Sequence, residues 1–249
     1  LQQITNGLPT TLTILEDNAF FRCTSLQGRL VVPPNILRLG SWCFCGCSAL
    51  TSIVFEAPTT TSATGGTQPT PMVLGSACFS ECTELRSVRL SQTWATIARY
   101  CFHNCSKLTD ISIPNSVRII GGWAFYGCTN LRSMELSNTI EELGEESFGN
   151  CTALEKILIR SLSSHVRFGR NIFVRCSSLS IIQMYPWLYP KLFEAMNEDP
   201  SFIYKFFHQY HHQILEEEAE VGVVTRQHCN GRRRRRIQRH PQKRQRLHG

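Results

Sequence analysis

The chain has 249 residues, 42% hydrophobic and 18% charged, which excludes a wholly disordered polypeptide, since such chains are poorer in apolar groups and richer in charge. No uninterrupted apolar run approaches the roughly 18 residues that a membrane-spanning helix needs. The net charge is +7, yet ten Lys and Arg residues and no acid lie from Arg226 onward, so residues 1–225 carry −3 and the basic character belongs to a tail. A chain beginning at Leu1 rather than Met is expected of a fragment or a trimmed product, from which a signal peptide could have been lost.

Seven segments share Phe, two variable residues, Cys, two more and Leu, as in AFFRCTSL from Ala19 and AFYGCTNL from Ala124. The phenylalanines are Phe20, Phe44, Phe79, Phe102, Phe125, Phe148 and Phe173, spaced by 24, 35, 23, 23, 23 and 25 residues. A fixed period of 23 means a solenoid. Each Leu opens Leu-x-x-apolar-x-apolar, as in Leu85/Val88/Leu90, Leu108/Ile111/Ile113, Leu131/Met134/Leu136 and Leu154/Ile157/Ile159. Alternation at period two predicts a short strand with one buried face. A polar turn such as Pro114-Asn115-Ser116 follows, then an apolar pair and a small residue, as in Val117/Ile120/Gly121. Gly there suits a special backbone conformation or a close approach. One repeat cannot bury this apolar set, whereas stacked repeats form Phe and Leu columns beside a parallel sheet.

The block ISIPNSVRIIGGWAFYGCTNL, from Ile111 to Leu131, resembles the BspA-like subclass of leucine-rich repeats, and the resemblance covers roughly residues 8–184 in seven copies. It implies an α/β fold: a leucine-rich-repeat solenoid with short parallel strands, here with a C-terminal helical cap and a disordered basic tail. It also implies a binding scaffold with no catalytic residues to transfer. The expected domains are the repeats over 1–184, the cap over 185–222 and the arginine-rich tail over 223–249.

Between Phe44 and Phe79 the spacing exceeds the period by the length of an insertion within residues 56–71, EAPTTTSATGGTQPTP. This composition predicts a loop leaving the solenoid, either as a recognition or O-glycosylated finger or as a tolerated insertion. Past Met184 the pattern stops. Asp199-Pro200 is a helix start, and Phe202, Ile203, Phe206, Phe207, Tyr210 and Ile214 recur at helical spacing toward Glu220. A shorter helix is expected over 191–197. The stretch LYPKLFEAMNEDPSFIYKF resembles helical extensions that follow such repeats in some algal members. The apolar stripe is read as a cap on the last rung, with a groove-binding helix as the alternative.

Of twelve cysteines, Cys23, Cys47, Cys82, Cys105, Cys128, Cys151 and Cys176 occupy one repeat position. Cys43, Cys78 and Cys101 precede the Phe, where other repeats carry Ala, Ser or Ile. Exchange with Ala and Ser predicts a small buried group, and free Cys behaves as a small hydrophobe. Metal pairs at Cys78/Cys82 and Cys101/Cys105, or disulfides between rungs, are the competing readings. Asn104-Cys105-Ser106 and Asn150-Cys151-Thr152 match the N-glycosylation pattern, read as a by-product of Asn before the repeat Cys.

Chemistry is sparse. A nucleophile needs a base in hydrogen-bond reach, and His103 alone lies in a regular repeat, at a variable position. His208 and His212 are four apart without a third ligand. No phosphate-cradling motif is present, so neither a cofactor nor enzyme activity is expected. The outward strand positions include Ser52, Val54, Ser87, Arg89, Asp110, Ser112, Ser133, Glu135, Lys156 and Leu158, which offer no Trp or Tyr anchor.

The tail carries Arg232, Arg233, Arg234, Arg235, Arg236, Arg239, Lys243, Arg244 and Arg246, a run that suits an import receptor, nucleic acid or anionic lipid. The expected function is a protein-interaction scaffold with an unidentified protein partner. The alternatives are a nucleic-acid-associated or nuclear-targeted protein acting through the tail, and a secreted or surface adhesin.

Overall fold

Each repeat folds into one turn of a solenoid in the computed structural model, which describes residues 7–57 and 72–196. In chain order the strands are β1 (Ile14–Leu15), β2 (Gly28–Val32), β3 (Arg38–Leu39), β4 (Leu50–Phe55), β5 (Val73–Leu74), β6 (Ser87–Arg89) and β7 (Thr96–Ile97). They continue as β8 (Asp110–Ser112), β9 (Ile119–Ile120), β10 (Ser133–Leu136), β11 (Glu142–Leu143), β12 (Lys156–Ile159), β13 (Arg167–Phe168) and β14 (Ile181–Met184). Pairing is parallel throughout, in register with the repeat, so Met134 faces Ile157 and Ile157 faces Ile182.

The even-numbered strands are the alternating segments expected from the sequence. The odd-numbered ones are two-residue strands at the apolar pair after the turn, and they build a second sheet that the alternation rule does not detect, because two residues are too few to show a period. This second sheet runs without interruption from β7 through β9 and β11 to β13. The longer strands form β2-β4-β6-β8 and, separately, β10-β12-β14.

The core is a set of columns. Successive Phe rings stack with centroids 5.0 to 5.9 Å apart from Phe20 to Phe173. The rings from Phe44 to Phe173 are buried, as are Leu50, Leu85, Leu108, Leu131 and Leu154. In the first rung Phe20 and Cys23 are only half-buried, since no described turn covers them.

Two residues per turn, two before and two after the Phe, have left-handed backbone. In the central turns these are Tyr100 and Asn104 (φ 58° and 57°) and Trp123 and Gly127 (55° and 74°). Few L-residues adopt this region. It is held here because these amides turn toward the next rung: Tyr100 donates to the Gly122 carbonyl, and Asn104 to that of Tyr126 at 2.7 Å. The Phe-bearing loop is thereby tied rung to rung as firmly as a sheet edge.

The glycine after each apolar pair serves close approach. A Cβ on Gly144 would lie 2.3 Å from the amide nitrogen of Gly122, and one on Gly169 would lie 2.3 Å from that of Glu145.

A 3-10 turn (Pro186–Leu188) and helix α1 (Tyr189–Ala195) follow the last strand. The helix starts two residues before the expected 191, because Pro190 fits the first helical turn. Leu188, Tyr189 and Leu192 are buried against the last turn, and the Ala195 carbonyl accepts from the Asn171 amide at 3.2 Å, the bond a further rung would have made. The expected helix from Asp199, the loop over 58–71 and the basic tail lie outside the described residues.

Candidate interaction surface

The repeat cysteines do more than fill space. Cys47, Cys82, Cys105, Cys128, Cys151 and Cys176 each direct Sγ at the main-chain carbonyl of the Phe one rung earlier, at 3.0 to 3.3 Å. The sequence reading of free Cys as a small hydrophobe leaves this bond out. The Phe amide is satisfied by the following rung, as Phe102 donates to Ala124 at 2.8 Å. The Phe carbonyl accepts from the amide of the repeat Cys in its own turn, as Cys105 donates to Phe102 at 3.2 Å, and the thiol of the next rung is a second, weak donor to the same oxygen.

Burial pushes the thiols of Cys82, Cys101, Cys105 and Cys128 well up and that of Cys47 up to about 12, while for Cys151 the hydrogen bond with the Cys176 thiol leads. Thiols kept protonated are poor nucleophiles and poor metal ligands. The eleven cysteines among the described residues are free. His103 does not approach this column. Its ring stacks on Tyr126 at 5.4 Å and meets Tyr100 edge-on at 5.6 Å, and burial lowers its pKa.

His103 belongs to a surface feature that the strand positions do not reveal. The residues two before and one after the Phe lie along the loop edge, and several are aromatic. Tyr100 and Trp123 stack at 5.2 Å, and the guanidinium of Arg99 lies 4.3 Å from the Trp123 ring centre. Three rungs earlier Phe21 and Trp42 meet edge to face at 6.5 Å, with Arg22 over Phe21 at 5.2 Å. Trp42 is 45% exposed and Phe21 40%. Small residues make room for the rings: Gly149 is buried, and a Cβ on it would meet the Tyr126 ring at 2.7 Å.

Beside this stripe a shallow groove of about 620 Å³ runs along the turns, floored by the left-handed positions Arg22, Gly46, Glu81, Asn104, Gly127 and Asn150. Asn or Gly before the repeat Cys thus marks a left-handed residue, which both tolerate. That accounts for the two Asn-Cys-Ser/Thr matches.

The outward strand positions carry no such anchors. Ion pairs on and beside the strands link neighbouring rungs, as between Arg160 and Glu135 or, in the turns before the strands, Lys107 and Glu84, on exposed surface where such pairs contribute little. The basic residues of the tail, from Arg232 to Arg246, lie outside the described residues, as do His208, His212 and Cys229.

A family model described as the BspA type leucine rich repeat region matches residues 1–65 and 69–185 in six copies. Seven Phe rungs are present, because Phe20 and Phe173 each head a turn at the ends of the column. No curated protein matches. Among solved structures, a leucine-rich repeat protein from Bacteroides ovatus is 27% identical with a TM-score of 0.58, over 74% of this chain and 49% of its own. The leucine rich repeat protein of T. pallidum is 27% identical with a TM-score of 0.55, over 70% and 73%. The pneumococcal vaccine antigen PcpA, at 18% identity and TM-score 0.52 over 67% and 38%, shares the fold. The chain spans about half the length of the Bacteroides protein.

Proposed function

The chain belongs to the BspA-type leucine-rich-repeat family, and on that premise we propose that it is a non-enzymatic protein-interaction scaffold that binds through its loop edge. The observation that carries this reading is the arrangement of Phe21, Trp42, Tyr100 and Trp123 with Arg22 and Arg99 stacked over rings. Trp, Tyr and Arg are the residues that dominate binding energy at protein interfaces. A ring already packed in one orientation loses little freedom on docking, and a guanidinium over a ring still offers its N–H fork to a partner. The raised thiols of Cys47, Cys82, Cys101, Cys105 and Cys128 support the reading, since burial leaves none of these five activated as a nucleophile.

The test is partner capture by proximity labelling with the full chain and with Trp42→Ala and Trp123→Ala. Loss of specific partners at unchanged melting temperature is the expected result. An unchanged partner set in the double variant contradicts the reading.

The domain scheme above completes the proposal, with repeats over 1–184, a cap over 185–222 and a tail over 223–249. The acid-free run from Arg232 to Arg236 supports a second reading, contact with an import receptor or a nucleic acid. Truncation before Arg226 is expected to abolish nuclear accumulation and salt-sensitive polyanion binding. Binding that persists with the same salt slope contradicts it.

A further inference from the structure

The longer-strand sheet is interrupted once, between β8 and β10. The same two rungs stay in contact elsewhere. Phe102 and Phe125 stack at 5.5 Å, and β7-β9-β11 is continuous. The opening is also closed at both ends. Asn130 donates to the Ser106 carbonyl at 3.1 Å where the strands begin, and Thr139 Oγ1 donates to the Asn115 carbonyl at 2.7 Å where they end. Over this opening, on the outer face and reaching Gln92 and Arg160 in the flanking rungs, lies a cleft of about 760 Å³ whose walls include Ile111, Ser112, Asn115, Ser133, Glu135 and Asn138. That volume lies within the usual range of small-molecule sites.

Two features distinguish this cleft from a surface irregularity. Ile111 is half-buried, although its counterparts Val88, Met134 and Ile157 are at most 4% exposed. An inward apolar side chain therefore floors the opening. The second feature is main-chain polarity. Asp110 donates back to the Arg86 carbonyl at 3.0 Å, and Lys156 donates to that of Arg132 at 3.3 Å. Alternation along a parallel ladder then turns the N–H and C=O of Ile111 and of Ser133 toward each other across the cleft. Such groups need partners wherever water is displaced.

The occupant follows from size and charge. Cα atoms of β8 and β10 still come within 8 Å, whereas an inserted peptide strand needs about 9.6 Å, twice the usual spacing. The charged groups of the walls, Glu135 and Arg160, are already paired with each other, so neither an anion nor a cation finds an open counter-charge. What remains is an apolar floor ringed by hydroxyls, amides and main-chain groups that both donate and accept. We propose that this cleft binds a neutral carbohydrate, its C–H face on Ile111 and its hydroxyls on Ser112, Asn115, Ser133 and Asn138. This goes beyond the scaffold reading, since it requires neither the aromatic edge nor a protein partner.

The test is saturation-transfer NMR on the full chain with cellobiose, lactose, maltose and chitobiose at millimolar concentration. Transfer to at least one of them is expected. Ser133→Tyr, which fills the cleft with a residue strands favour, should abolish it. Asn138→Ala should weaken binding roughly tenfold, the scale of one hydrogen bond, so a folding defect in either variant leaves the other as the readout. Absence of transfer from all four sugars, or equal transfer in both folded variants, overturns the proposal. Tighter binding of glucose 6-phosphate than of any neutral sugar overturns it as well.

Discussion

Cys128 donates its thiol to the main-chain carbonyl of Phe102, 3.3 Å away in the rung before it. The pair joins the two repeat signatures into one device, in which Phe supplies the stacked ring and Cys adds a second hydrogen bond to a carbonyl that the Cys105 amide already holds at 3.2 Å. Cys128→Ala is therefore expected to cost about 0.5–1.5 kcal/mol, the net contribution of one hydrogen bond. Cys23→Ala should cost far less, because Cys23 is half-buried and no described rung precedes it. Chemical denaturation of the two variants checks this. Equal losses would mean that the carbonyl is not what the thiol serves.

The same burial makes the fold sensitive to alkali. The thiol of Cys47 is raised to about 12, and those of Cys82, Cys101 and Cys105 are raised well above their ordinary value. In the unfolded chain they titrate near their ordinary value, about 8.5. Below that pH both states hold the proton, and the stabilisation is fully present. As pH rises toward the native values the unfolded state gives up protons first, so stability falls. Urea midpoints measured upward from about pH 8 should decline, and the decline should be shallower in Cys47→Ala. A parallel decline in that variant would assign the effect to other groups.

Gly144→Ala places a Cβ against the Gly122 backbone, where an ideal one would stand 2.3 Å away. Backbone cannot rotate aside as a side chain can, so the loss should reach the upper end of the roughly 1–3 kcal/mol typical of overpacking. Ala98 holds the equivalent place in its own rung and is tolerated there, buried. Ala98→Gly should therefore change stability little. Thermal melts of both variants decide whether close approach governs this position.

Glu81 has φ 58° and an exposed side chain. Left-handed backbone costs an L-residue about 1–2 kcal/mol, partly balanced by the extra freedom Gly has when unfolded. Glu81→Gly should thus raise stability by about 1 kcal/mol. Gly46→Ala, at the same position one rung earlier, should lower it, helped by the 2.9 Å approach of its Cβ to Arg22 Cγ. Opposite signs at the two positions are the expected pattern.

The Phe and Leu columns were legible in the sequence because stacking repeats the same packing demand every 23 residues. The two-residue strands were not, and the thiol–carbonyl bond was missed, because a column that holds Cys in all seven rungs fits the packing of a small apolar group as well as it fits a hydrogen bond. The Asn or Gly before Cys, at Gly46, Asn104, Gly127 and Asn150, was a readable sign of left-handed backbone, although the two Asn matches were set aside as by-products of the repeat. The aromatic edge was also written in the chain, at Trp42, Tyr100, Trp123 and Tyr126, but off the strands, where anchors were sought. Ile111 gave no sign of the cleft, since Leu108/Ile111/Ile113 has the same form as its neighbours.

The loop-edge assignment is tested most directly by site-specific photocrosslinking in cells with the full chain, placing benzoylphenylalanine at Phe21 or Tyr126 on the aromatic edge and at Arg89 or Leu158 on the strand face. The account predicts a discrete protein adduct from the edge positions, lost when Trp42→Ala and Trp123→Ala are combined, and none from the strand positions. Adducts from Arg89 and Leu158 with none from the edge would contradict it.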